Sequence, residues 1–108
     1  MSKTFTAQNP VTAKPVGDEI TEWDLIQTSA AIKAADSVKV KLEATNPSQR
    51  AALLNAIADA IEEQKEKLAE VANLETALPL PRLNGEVMRT VIQLRAFAAL
   101  VKTGGHLL

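Results

Sequence analysis

The sequence predicts a mainly α-helical unit of three to four helices, preceded by a short N-terminal β hairpin or arm. Two helix starts, at Thr21-Glu22 and Asn46-Pro47, are written in capping residues; two long runs of apolar residues recur every three or four positions; and the β-favouring residues gather before residue 20. The chain divides accordingly into an extended arm or β hairpin over 1–20 and a helical segment over 21–108. At 108 residues it is one modest domain at most.

The arm comes first. Thr4, Phe5, Thr6, Val11, Thr12 and Val16 surround the turn-favouring pair Asn9-Pro10, and the stretch closes on Gly17-Asp18. A two-stranded ribbon is marginal alone in water, so it needs a body to lie on. Thr21-Glu22-Trp23-Asp24 then opens the first helix, with Thr21 as cap and the acid three residues on reaching back to it. Leu25, Ser29 and Ile32, with Ile26, Ala30 and Ala34, give a narrow face of mostly small residues. From Asp36 to Ala44, Val38, Val40 and Leu42 alternate with Lys39, Lys41 and Glu43, a pattern that fits either a helix tail or an extended connector.

The stretch from Asn46 to Thr76 organises the chain. Asn46 caps, Pro47 takes the first helical position where it loses no hydrogen bond, and Gln49 completes a capping box. Leu54, Ile57, Ile61, Leu68 and Val71 form one continuous apolar stripe, interrupted at Gln64-Lys65 by a bend between two helices. Burial of each Leu or Ile contributes roughly 1.5 to 3 kcal/mol, so the stripe needs a partner face. The helix ends before Pro79, and Pro81 delays the next start to about Arg82. The last helix carries Val87, Val91, Leu94, Ala98 and Val101, widened by Met88, Ile92, Phe97 and Leu100 until it reads as buried on two sides. Gly104-Gly105 stops it, leaving His106-Leu107-Leu108 as a tail.

Charge and composition exclude several function classes. Twelve basic and 13 acidic residues leave a net charge of -1, and Lys and Glu are interspersed, so no basic face for nucleic acid or an acidic membrane exists. The polar helix faces are acidic, against a membrane-surface helix, and no stretch approaches the ~20 apolar residues of a membrane span. Met1 to Phe5 lacks the apolar run of a signal peptide, which points to the cytoplasm. The chain has no cysteine, hence no disulfide, thiolate ligand or thiol nucleophile.

Candidate chemical groups are few. Glu75 and Glu86 read as solvated or cap-satisfying acids rather than an acid/base pair. His106 stands without a ligand cluster and makes no metal site. Arg82, Arg89 and Arg95 form either an anion site or, the preferred reading, structural ion pairs with Glu86 and other acids. Trp23 is a packing residue of the first helical turn, and the Leu54 stripe is core.

A family resemblance runs through these residues in register: Asn9-Pro10, Thr21-Glu22, Ala30-Ala31-Ile32-Lys33-Ala34-Ala35, Pro47-Ser48-Gln49-Arg50, Leu54, Ile57-Ala58-Asp59, Ile61-Glu62, Leu68-Ala69, Leu74-Glu75-Thr76 and Pro79. The chain resembles the amino-terminal part of the aldehyde dehydrogenase superfamily. Glu75-Thr76, Leu78-Pro79, Arg82-Leu83, Gly85-Glu86, Arg89-Thr90, Gln93-Leu94-Arg95 and Phe97-Ala98 are similar to the 2-ketoglutarate semialdehyde (2,5-dioxopentanoate) dehydrogenases. Two positions depart from the pattern: Ala77 stands where a glycine is common, and Leu42 near a usual tryptophan or tyrosine.

The resemblance implies a fragment of the α/β fold of a longer, oligomeric parent that oxidises an aldehyde, with 2-ketoglutarate semialdehyde favoured and NADP or NAD as hydride acceptor. The family's catalytic cysteine, general-base glutamate, oxyanion-hole asparagine and cofactor loops lie downstream, so no catalytic, cofactor-binding or metal residue is assigned here. The family reaction starts with attack of a thiolate, which this chain cannot supply. The expected partner is the remainder of the parent chain or another copy; the alternative is a self-sufficient helical module that dimerises.

Overall fold

A computed structural model of the chain describes residues 2–104. An antiparallel hairpin, β1 (Thr4–Gln8) and β2 (Pro15–Thr21), leads into five helices: α1 (Leu25–Ser37), a short α2 (Lys39–Glu43), α3 (Pro47–Glu63), α4 (Lys65–Thr76) and α5 (Leu80–Thr103). The expected mainly α architecture with an N-terminal hairpin is thus present.

The hairpin pairs Thr4 with Thr21 and Phe5 with Ile20, then Ala7 with Val16 and Gln8 with Pro15. Two extra residues in β2 are absorbed at a bulge where Gly17 takes φ +76°, a left-handed conformation open to glycine at low cost. The strand therefore does not close at Gly17-Asp18 but runs on to Thr21.

That extension corrects the first helix start. Thr21 is consumed by the ladder, and Asp24 caps instead: its carboxylate accepts from the Gln27 amide at 2.8 Å while the Gln27 side chain accepts from the Asp24 amide at 3.0 Å. Trp23 accordingly lies before the helix, not in its first turn, and is 63% exposed rather than packed. None of the α1 residues is buried, so the Leu25-Ile32 face is uncovered. The alternating stretch resolves as helix: α2 follows α1 after the single cap residue Val38.

At α3 the structure follows the sequence closely. The Asn46 side chain accepts from the Gln49 amide at 2.8 Å, the Gln49 side chain accepts from the Asn46 amide at 2.9 Å, and Pro47 occupies the first turn. Gln64 separates α3 from α4, at the bend the polar pair marks. Two positions differ downstream. Pro79 is the cap of α5 and Pro81 sits in its first turn, so the second proline starts the helix instead of delaying it; its missing N–H falls among donors that have no intrahelical partner anyway.

Helices α3 and α5 run antiparallel. Val101 near the end of α5 shares a groove with Arg50 and Leu53 at the start of α3, whereas Leu83 and Val87 share another with Ile61 at its end. The buried set is Ala51 and Ala58 on α3, Ala69 on α4, and Leu83, Val91 and Ala98 on α5. The seam on α3 therefore runs Ala51, Leu54, Ala58, Ile61, and the single stripe expected through Ile57, Leu68 and Val71 splits: those three are exposed. The reason is size, because small side chains at every seventh position let α5 approach closely and larger neighbours are displaced to the flank.

The consequence is a layer rather than a ball. A compact domain of this length has a radius of gyration of about 13 Å, against 18.2 Å here. A folded monomer of 11.6 kDa exposes about 5,800 Å². This chain exposes 8607 Å².

Candidate functional site

Four polar interactions fix the layer, and each ties elements distant in sequence or joined by a bend. Asn9 builds the hairpin turn: its side-chain oxygen accepts from the amides of Val11 at 2.9 Å and Thr12 at 3.1 Å, and its backbone closes the loop with Ala13 and Lys14. Its amide nitrogen donates to the Leu74 carbonyl at 2.9 Å, in the last turn of α4. That carbonyl has no helical donor, since the Leu78 amide donates to Thr76 Oγ1 instead. One side chain thus shapes the hairpin and docks it.

Arg50 performs the same service for the α2–α3 connection. Its Nε donates to Thr45 Oγ1 at 3.0 Å and its Nη2 to the Thr45 carbonyl at 2.7 Å, placing a half-buried guanidinium beneath the C-terminal end of α2, where positive charge is favoured. The α4–α5 joint is built by Ala77, which caps α4 at φ 58°, ψ 14°, and by Asn73 Nδ2, which donates to the Leu78 carbonyl at 2.7 Å. The position that departs from the family pattern is one that needs a left-handed residue.

The fourth interaction joins α5 to α3. Arg95 Nη2 donates to Asp59 Oδ1 at 2.9 Å and also to Glu62. Its pKa is raised above the ordinary guanidinium value, chiefly by the hydrogen bond to Asp59 and then by that to Glu62. Arg82 pairs with Glu86 one turn on, at 3.1 Å. The two arginines are therefore held by acids, as structural pairs. Arg89 lies exposed on α5, Glu75 is exposed at the end of α4, and Glu86 is taken by Arg82, so the structure does not gather Glu75 and Glu86 into one acid/base site. His106 and Gly105 lie outside the described residues. Among the described residues no group of three or more His, Asp or Glu is placed to hold a metal ion.

The sequence reading missed Asn9 as a tether and Arg50 as a connector. Both stand within short family matches, Asn9-Pro10 and Pro47-Ser48-Gln49-Arg50, whose order was informative before their roles were.

The two faces of the α3–α5 layer differ. At about 100° per residue, and with the helices antiparallel, Leu53 and Ile57 fall on the same side as Phe97 and Leu100. Two apolar grooves open there, one of about 460 Å³ lined by Leu42, Leu53, Leu54 and Val101, the other of about 390 Å³ lined by Ile61, Leu68, Leu83 and Val87. Arg95, Asp59 and Glu62 clamp the opposite rim. A dinucleotide does not fit these helix starts: nucleotide phosphates need free N–H groups behind a glycine-rich turn, whereas Asn46-Pro47 and Pro79-Leu80-Pro81 close the openings of α3 and α5. The arrangement holds helices in register and offers an apolar face.

Comparison with known proteins accounts for this scaffold. The profile described as "Aldehyde dehydrogenase family" matches residues 1–106, and the chain belongs to that family. It is 40% identical over 101 residues to the alpha-ketoglutaric semialdehyde dehydrogenase of Acinetobacter baylyi, covering 94% of this chain and 19% of that protein. It is 53% identical over 58 residues to alpha-ketoglutaric semialdehyde dehydrogenase 2 of Azospirillum brasilense, covering 54% of this chain and 11% of that one. The hydroxyisobutyraldehyde dehydrogenase of Mycolicibacterium austroafricanum is 34% identical over 104 residues, 95% of this chain and 20% of its own length. The chain thus spans about a fifth of the curated relatives it matches along most of its length.

Proposed function

We propose that this chain is the amino-terminal structural segment of an NAD(P)-dependent aldehyde dehydrogenase that oxidises 2-ketoglutarate semialdehyde to the carboxylic acid. The observation that carries the reading is the 40% identity along 94% of the chain to an alpha-ketoglutaric semialdehyde dehydrogenase, with a second protein of that name at 53% over the matched half. The self-sufficient dimerising module is not favoured, because the family match runs over residues 1–106. The hydride acceptor is NADP or NAD, and the residues that hold it belong to the rest of the parent. The proposal extends to a cytoplasmic homo-oligomer.

Reading the encoding DNA past the codon for Leu108 tests the parent. A continuing frame with a glutamate and a cysteine in family context supports it; a stop codon with no related continuation removes it. The full-length product should then reduce NADP or NAD with 2-ketoglutarate semialdehyde in preference to lactaldehyde, and elute as an oligomer. The purified 108-residue chain should produce no NADH or NADPH with either aldehyde.

A further inference from the structure

We infer that Asn84-Gly85, in the second turn of α5, is a spontaneous modification site: the Asn84 carboxamide converts to a carboxylate when the start of α5 opens, and the product loosens the seam between α4 and α5. The inference concerns this chain's own backbone and stands apart from the substrate reading above.

Sequence selects the residue. In such a conversion the amide nitrogen of the following residue bonds to the asparagine Cγ, and the bond from Cγ to the carboxamide nitrogen breaks. The carboxamide nitrogen leaves as ammonia, taking up the proton that the backbone amide gives up. Water then opens the cyclic imide at either carbonyl, giving aspartate or an isoaspartate whose backbone runs through the side chain. Asparagines stand at 9, 46, 55, 73 and 84. Asn9 and Asn46 precede prolines, whose nitrogen carries no hydrogen to give up. Asn55 and Asn73 precede Ala56 and Leu74, whose side chains hinder the closure, whereas Asn84 precedes glycine. Both Asn84 and Gly85 are exposed to water, and a Cβ placed on Gly85 would meet no heavy atom of a neighbouring element within 4 Å, so the ring has room.

The fold sets the gate and the consequence. The Gly85 amide belongs to a helical ladder that begins where the Leu83 amide donates to the Pro79 carbonyl at 3.1 Å, and it points along the axis, away from the Asn84 carboxamide. Closure therefore waits for the first turns of α5 to open. Two features ease that opening: Pro79 caps α5 without a side-chain acceptor, and glycine is a poor helix former. Asn84 lies toward α4, bordering a groove of about 140 Å³ with Glu66, Ala69, Glu70 and Leu80. It is the neutral polar group there. A carboxylate in its place sets three acids around one small groove that no basic residue lines, beside the buried Ala69. Isoaspartate also adds a backbone carbon and breaks the helical repeat.

The test stores the 108-residue chain for weeks at neutral pH and follows its tryptic peptide Leu83 to Arg89 by mass spectrometry, with isoaspartate detected by enzymatic methylation. Conversion at Asn84 should run well ahead of that at Asn55 and Asn73. The free Leu83 to Arg89 peptide should convert roughly tenfold faster than the same residues within the folded chain, where closure needs local opening. Pro79→Ser supplies the missing cap and should slow conversion in the chain about fivefold. Asn84→Asp, which mimics the product, should melt at a lower temperature, and that drop should vanish when Glu66→Gln and Glu70→Gln are added. Conversion no faster at Asn84 than at Asn55 and Asn73 overturns the site. Equal rates in chain and peptide, or no slowing in Pro79→Ser, overturn the gate. Melting of Asn84→Asp with wild type, or a drop that survives both glutamines, overturns the loosening.

Discussion

Asn9 Nδ2 donates to the Leu74 carbonyl across 65 positions of sequence, at 2.9 Å. A marginal two-stranded hairpin is thereby fastened to the end of α4, and the same side chain forms the turn that makes the hairpin. Asn9→Ala should cost about 1 to 2 kcal/mol in urea unfolding followed by circular dichroism. Asn9→Asp keeps the two acceptor bonds and loses the donor, placing negative charge beside a helix C-terminus. It should fall below wild type despite preserving the turn.

Ala77 carries a left-handed backbone, at φ 58°. Its Cβ costs roughly 1 to 2 kcal/mol there, partly offset by the greater chain entropy glycine loses on folding. Ala77→Gly should stabilise the chain by about 0.5 to 1 kcal/mol, and Ala77→Val should destabilise it, by the same unfolding measurement.

Arg50 reaches an oxygen pair on Thr45 that one ammonium cannot match. Arg50→Met should cost about 1 to 2 kcal/mol, with Lys restoring less than half. Hydrogen exchange should show the loss first at Ala44 and Thr45, whose amides donate to the Val40 and Leu42 carbonyls at the end of α2.

Val91 is fully buried between α5 and its neighbours. Val91→Ala should cost about 1 to 3 kcal/mol. Ala58→Leu should cost a similar amount by forcing α3 away from α5, whereas Ile57→Ala, on the exposed flank, should change stability little.

Arg95 supplies a pH test with a definite sign. Its guanidinium binds its proton more tightly folded than unfolded, owing first to Asp59 and then to Glu62. A raised value contributes stability that is fully present below the unfolded value and lost only as pH rises through the folded one. Both lie far above neutrality, so the melting difference between wild type and Arg95→Gln should be the same at roughly pH 6 and pH 9. The difference should shrink with added salt, because the pair is solvent-exposed.

The legible parts of this fold were those decided by a few adjacent residues. Asn46, Pro47 and Gln49 specify the start of α3 by local hydrogen bonds, and the break at Gln64 shows as a lapse in period. Thr21-Glu22-Trp23-Asp24 was misread because two capping frames overlap there, and the hairpin's bulge, a pairing with Phe5 and Ala7, decides which one is free. The side of α3 that faces α5 was misjudged for a related reason. Hydrophobicity ranks Ile57 above Ala58, but packing two helices at close range favours the smaller residue. The candidate interface was half visible: the breadth of the last helix announced a second covering, while which face stays open depended on the antiparallel setting of α3 against α5.

Four of the six buried side chains among the described residues are alanines, at 51, 58, 69 and 98. Substitution by alanine, the usual probe of a protein interior, is blind at every one of them. A tolerance map of this segment should come out inverted, with methyl groups immovable and many isoleucines and leucines replaceable in the isolated chain. Those replaceable residues should become intolerant once the segment is assayed within its parent. The contrast between the two maps would outline the covered surface residue by residue, without a structure of the assembly.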